Sequence, residues 1–150
     1  MSEKSLVSVI IPSYNRVKYI QQAIDSVYSQ NYSPVELIVV DDGSTDGSLE
    51  LLRRLEASGR IKLFTHPNHK NKGQSASLNL GIMHCCGNYV SILDSDDYFA
   101  PQKLEQQVAY LESHPTLGMV YGRGHAVDAS GSFLFKVPDD NHAEIGRAHV

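Results

Sequence analysis

The stretch Leu93-Asp94-Ser95-Asp96-Asp97-Tyr98 closes an apolar run of strand length, Tyr89 to Leu93. In an open α/β sheet the C-terminal ends of strands form the edge where ligands bind, so these carboxylates converge on a ligand position. Acids crowded there repel one another and lose solvent. A divalent cation such as Mg2+ or Mn2+ relieves both penalties, takes oxygen ligands and keeps positions open for phosphate. The competing assignment is structural: Asp and Ser are good N-caps, and Pro101 suits a first helical turn.

A second acid pair closes another apolar run, Val35 to Val40, in the turn-rich segment Asp41-Asp42-Gly43-Ser44-Thr45-Asp46-Gly47. The sheet edge brings both acidic ends to one side. A carboxylate accepts hydrogen bonds from a base N–H or from ribose hydroxyls, whereas metal-bound acids face and neutralise a diphosphate. Together the two pairs describe a nucleotide site. Neither GxxxxGK[ST] nor a GxGxxG after the first strand is present, which disfavours classical kinases and dinucleotide dehydrogenases. Asp41 and Asp46 also suit bracing of the Asp-Gly turn and capping of the next helix. His66 and His69 lack a third ligand nearby and read as solvated loop residues. The adjacent Cys85 and Cys86 suit neither a disulfide framework nor a metal site, and read as reduced thiols with one packed in the core.

The elements that must position these residues alternate regularly. Strands are expected at Leu6–Ile11, stopped by Pro12, then at Val35–Val40, Ile61–Thr65, Tyr89–Leu93 and Leu117–Tyr121. Ile20, Ala23, Ile24, Val27 and Tyr28 give a helix over Lys18–Gln30 its apolar face. Leu49, Leu52 and Leu55 mark the next helix, with Gly59 as its stop. A third helix spans Gln74–Cys85, and a fourth carries Leu104, Val108 and Leu111 before His114-Pro115. The segment Gly124–Val137 reads as a hairpin turning at Asp128-Ala129-Ser130-Gly131. This alternation implies an α/β domain with a mostly parallel sheet and helices on both faces.

With 150 residues, 41% hydrophobic and 20% charged, the chain suits one globular domain. A net charge of -4 offers no basic footprint for nucleic acid. The apolar run after the polar start is too short for a membrane span or signal peptide, so the chain reads as cytoplasmic.

Four ordered segments carry a family resemblance: Val9-Ile10-Ile11-Pro12-Ser13-Tyr14-Asn15; Glu36 through Gly47; Asn71-Lys72-Gly73 with Asn79-Leu80-Gly81-Ile82; and Leu93-Asp94-Ser95-Asp96-Asp97. Together they resemble the family 2 glycosyltransferases of GT-A fold, a Rossmann-like nucleotide-diphospho-sugar transferase architecture. The resemblance implies a UDP-, GDP- or dTDP-sugar donor, a Mn2+ or Mg2+ cofactor, and transfer with inversion to a glycan, lipid or protein acceptor. By similarity, Pro12, Tyr14 and Asn15 sit beside the nucleoside, with Asp41 in the same site, and Asp42 bonds the base. Lys72, Gly73, Asn79 and Ser95 join the donor site. Asp94 and Asp96 form the DXD motif, Asp96 as metal ligand and Asp94 nearer the ribose or donor sugar. Pro12 also suits a strand terminator, Tyr14 a half-buried packing aromatic, and Asp97 a brace for the following helix.

The pattern is broken at Leu78, where many family members carry an Arg. Leu cannot donate to phosphate, so compensation is expected from Lys72, Lys70 or the metal. The general base of the family comes from a later, acceptor-binding half with no match before Glu144, and Asp139, Asp140 and His142 cannot be assigned that role. Residues 144–150 match the translation of a common sequencing adapter, which makes 1–143 the expected donor-binding domain, truncated at its C-terminus, and 144–150 a non-native tail. Transfer by this chain is accordingly expected to be poor. Membrane association is left open, because related enzymes often carry spans after this domain. The other readings are a receiver-like Mg2+-binding signalling module and a noncatalytic nucleotide-sugar-binding domain.

Overall fold

The computed structural model describes residues 4–128 and 130–137. The expected tail, together with Asp139, Asp140 and His142, lies outside them. The described residues divide into two compact units, which part between Lys103 and Leu104.

In the first unit, β1 (Val7–Ser13), β2 (Val35–Asp41), β3 (Lys62–Thr65) and β4 (Tyr89–Ile92) form one parallel sheet in the order β3-β2-β1-β4. Between them run α1 (Ile20–Tyr28), α2 (Ser48–Ala57) and α3 (Gln74–Met83). Right-handed crossovers lay α1 and α2 on one face, because β1, β2 and β3 step one way across the sheet. The return from β3 to β4 lays α3 on the other. Both faces of the central strand β1 are therefore covered, and every residue of it is buried, whereas the edge strand β4 leaves Val90 and Ile92 half-exposed.

Pro12 does not stop β1. The strand continues to Ser13, with Pro12 registered against Val40 and Ser13 against Asp41. Ile10 offers its carbonyl to Leu93 while Ser13 offers its own to Asp42, so Pro12 faces the β4 side of the strand. There β4 pairs only as far as Ile10, and the missing N–H costs no ladder bond. Gly59 ends α2 as expected: it takes φ +74, and Gly59 and Arg60 return their N–H groups to Glu56 and Leu55. Tyr28 departs from its expected core position. It is 48% exposed beneath the Arg60 guanidinium, and Ser26 takes the buried place in α1.

Two contacts fasten α3 to its face of the sheet. Gly81 meets Ile10 so closely that a Cβ would lie 2.6 Å from the Ile10 Cγ2. At the amino ends of the strands, Glu36 gathers three elements: it accepts from Ser8 of β1, from the Cys86 N–H at 2.6 Å and from Lys62 Nζ of β3 at 2.7 Å. Partial burial opposes its ionisation, but the hydrogen bonds from Lys62 and Ser8 outweigh it and hold its pKa at about 2. The thiols sit nearby, Cys85 half-buried and Cys86 exposed, so the expectation of one in the core is not met. They follow the last turn of α3, where the chain leaves the helix for the sheet edge.

The second unit holds most of α4 (Lys103–Ser113) and an antiparallel hairpin of β5 (Gly124–Val127) and β6 (Phe133–Val137). In the hairpin turn Asp128 Oδ1 accepts from the N–H groups of Ser130 and Ser132; Ala129 lies outside the described residues. Leu117–Tyr121 forms no strand. Its composition favours extended backbone, but a strand exists only with a ladder partner, and none pairs with it among the described residues.

Two outcomes follow. Gly81→Ala should destabilise the fold by about 1–3 kcal/mol in urea unfolding although Ala is the better helix former, because the buried Ile10 cannot yield. Glu36 has a folded pKa below its unfolded value, so its stabilisation is complete above pH 4.5 and is lost as pH falls toward 2. The loss should reach roughly 3 kcal/mol as an upper figure, and Glu36→Gln should flatten the stability profile over that window.

Candidate functional site

The strand order reverses between β1 and β4, and an open cleft of 240 Å3 lies there at the carboxyl ends of the strands. It is lined from β1 and its following loop by Pro12, Ser13, Tyr14 and Arg16, and from the end of β2 by Asp42. Gln74 and Ser77 of α3 form another wall, and Asp94, Ser95 and Asp96 complete it after β4.

Of the residues expected at a donor site, Pro12, Tyr14, Asp42, Asp94, Ser95 and Asp96 line this cleft. Asn15, Asp41, Lys72 and Gly73 stand behind it in supporting positions. Asn79 is exposed on α3 outside the cleft lining, and its neighbour Gly81 packs on β1.

Asp42 is 4% exposed, and its carboxylate accepts the Lys72 N–H at 2.6 Å and the Gly73 N–H at 2.8 Å. It thereby fixes the loop that enters α3, with its charge at the helix N-terminus. Gly43 permits the approach: at φ +82 a Cβ there would strike the His69 carbonyl oxygen at 2.6 Å. Beneath them His66 is buried, 6% exposed, with Nε2 3.0 Å from Ser77 Oγ and 3.5 Å from Asp42 Oδ1. This overturns its expected solvation: a ring enclosed by the sheet end and α3 finds polar partners there instead.

Asp41 is fully buried and accepts from Gly43 and Ser44 N–H through Oδ2, the expected brace of the Asp-Gly turn. Its Oδ1 and Ser13 Oγ are buried without a hydrogen-bond partner among the described residues. Asp46 contacts α2 from one position before the N-cap Gly47. It accepts the Ser48 N–H through Oδ1 and the Val17 N–H through Oδ2. Against slight desolvation, those bonds and the one from the Ser48 hydroxyl hold its carboxyl below the usual range.

Two cleft residues absent from the sequence expectation engage the acidic motif. Arg16 Nε donates to Asp96 Oδ2 at 3.0 Å, and Gln74 Nε2 donates to Asp94 Oδ1 at 2.7 Å. Each partnership spans a long stretch of chain, so no local spacing announces it. Asp97 closes a turn onto the Asp94 carbonyl, and burial together with the charges of Asp94 and Asp96 pushes its pKa up. Among the described residues no group of three or more His, Cys, Asp or Glu forms a ready metal cluster. The donor set still fits a hard cation. Asp94 and Asp96 offer carboxylate oxygens in an open cleft, and Mg2+ or Mn2+ is commonly held by one or two carboxylates plus substrate phosphates.

A parallel sheet with flanking helices and an acidic, ligand-sized cleft at its switch point defines an α/β domain of GT-A architecture. The chain belongs to glycosyl transferase family 2, whose pattern matches residues 8–136. An uncharacterised glycosyltransferase from Haemophilus influenzae is 40% identical over 129 residues, covering 85% of this chain and 50% of that protein. Among solved structures, the mannosyltransferase PcManGT from Pyrobaculum calidifontis, in complex with GDP-Man and Mn2+, matches at TM-score 0.67 and 30% identity. It covers 85% of this chain and 36% of its own. S. aureus TarS 1-349 in complex with UDP-GlcNAc matches at TM-score 0.64 and 29% identity, covering 80% and 36%. The chain thus spans half or less of these proteins. Family membership sets aside the receiver-module reading.

Asp42→Asn should lower stability by roughly 1–3 kcal/mol in urea unfolding, because an amide NH2 then faces a backbone N–H that the carboxylate satisfied.

Proposed function

We propose that this chain is the donor-binding part of an inverting, metal-dependent glycosyltransferase that takes a nucleotide-diphospho-sugar. The observation supporting this is that Asp94 and Asp96 share one cleft with the strand-end residues Pro12, Ser13, Tyr14 and Asp42. The nucleoside lies against Tyr14, whose ring is half-exposed at the cleft wall. Ser13 Oγ, buried and without a hydrogen-bond partner among the described residues, is the kind of group a ligand in this cleft completes. Asp42 acts on the nucleoside side, where it also keeps the loop before α3 in place; Asp41, Asn15, Lys72 and Gly73 support the same wall. Asn79 contributes only through α3.

Asp96, with Asp94, holds Mn2+ or Mg2+, which when bound supplies positive charge to the diphosphate leaving group. Gln74 orients Asp94, and the walls hold the donor for attack by an acceptor hydroxyl. The acceptor is a glycan, lipid or protein. The general base comes from the acceptor-binding part of the longer protein, and this chain by itself transfers sugar poorly. No helix among the described residues is long and apolar enough to cross a membrane. We place the domain in the cytoplasm or at the cytoplasmic face of a membrane.

Calorimetry of the chain with UDP and with GDP, each in the presence of Mn2+, tests the reading. At least one should bind, chelation of the metal should weaken it, and Asp96→Ala should weaken it by at least about tenfold. Equal metal-dependent binding by the variant would sink the assignment of Asp96.

A further inference from the structure

We propose that Arg16 is an exchangeable partner of Asp96 that couples cation binding to nucleotide binding. It holds the carboxylate until cation and nucleotide enter together, then turns to the diphosphate. The inference rests on the donor-binding reading above and adds to it a residue outside the acidic motif.

The loop that carries Arg16 is built to present this one side chain. Asn15 takes a left-handed backbone, φ 53, and its Oδ1 accepts the Thr45 N–H at 2.8 Å while its own N–H donates to Ser44 Oγ at 3.0 Å. The Arg16 N–H donates to Ser48 Oγ at 2.9 Å and the Val17 N–H to Asp46 Oδ2 at 3.1 Å. The loop after β1 is therefore stapled at successive residues to the loop after β2 and the first residue of α2. From that platform the guanidinium donates through Nη1 to the carbonyls of Tyr14 and Asn15 and through Nε to Asp96.

The pair with Asp96 is well formed yet open to exchange. The two side chains are 40% and 48% exposed, and ion pairs in such surroundings shift an equilibrium by no more than about fivefold. A guanidinium and a divalent cation cannot both claim one carboxylate oxygen without repulsion. Arg16 is also the cationic residue among those lining the cleft, and its planar fork matches phosphate oxygens. Leu78 supplies no charge, and Lys72 lies outside the cleft lining. A cation arriving alone must bind Asp96 against the repulsion of the guanidinium that holds its Oδ2. A cation arriving with a diphosphate gives Arg16 a second anion, so each ligand strengthens the other, and by linkage the coupling is reciprocal.

Mn2+ alone, followed by electron paramagnetic resonance titration, and Mn2+ with UDP or GDP, followed by calorimetry, separate the possibilities without any need for turnover. Arg16→Ala should bind Mn2+ alone about fivefold more tightly than the wild-type chain, and the nucleotide should strengthen Mn2+ binding less in the variant by at least that factor. In an Asp96→Asn background the Arg16→Ala change should bring no gain. An unchanged affinity for Mn2+ alone would overturn the coupling, as would an equal gain in the Asp96→Asn background, which would mark a general charge effect. A wild-type chain that binds neither nucleotide with Mn2+ would overturn the donor-binding reading and the coupling together. Nucleotide binding with an unaltered Arg16→Ala overturns the coupling alone.

Discussion

The cleft depends on a carboxylate that lies in its wall and is nearly enclosed by the protein. Asp42, at the end of β2, clasps the amides of Lys72 and Gly73 and so ties the entrance of α3 to the sheet edge. A buried charge is tolerable only when its hydrogen bonds are made, and here two backbone donors satisfy both oxygens. Gln74 follows directly and reaches Asp94, while Ser77 one turn on meets His66. A change at Asp42 therefore moves the α3 wall and the acidic motif as a unit.

The opposite wall is fixed differently. The loop after β1 has no helix of its own at this point, and its geometry comes from its neighbour: Ser44 and Asp46 of the loop after β2 and Ser48 at the start of α2 each accept a backbone N–H from it. Parallel neighbours make this possible, because their carboxyl ends lie side by side at equal height. Each wall of the cleft is thus held by a neighbour in space rather than in sequence.

That distinction also marks what the sequence reveals. Parallel strands announce themselves as apolar, β-branched runs, and β1 to β4, the three intervening helices and the hairpin all lie where those runs and their turn residues place them. The acidic strand ends are legible for the same reason, since sheet topology alone carries them to one edge. Pro12 misleads because its cost depends on which side of the strand lacks a partner. Leu117–Tyr121 misleads because extended propensity is local and pairing is not. Arg16 and Gln74 escape notice because nothing near them in the chain names Asp96 or Asp94. Glu36 left a faint sign, a lone charge inside an apolar strand, but its partners Ser8, Lys62 and the Cys86 amide come from three other segments.

The Glu36 clamp sits at the amino ends of the same strands whose carboxyl ends form the cleft. Substitutions that retune the loops above leave this lower anchorage intact, and the anchorage can be strengthened without reshaping the ligand's surroundings. Such a partition separates the cleft from its foundation: the upper loops can be recast residue by residue while the lower fastening stays as it is.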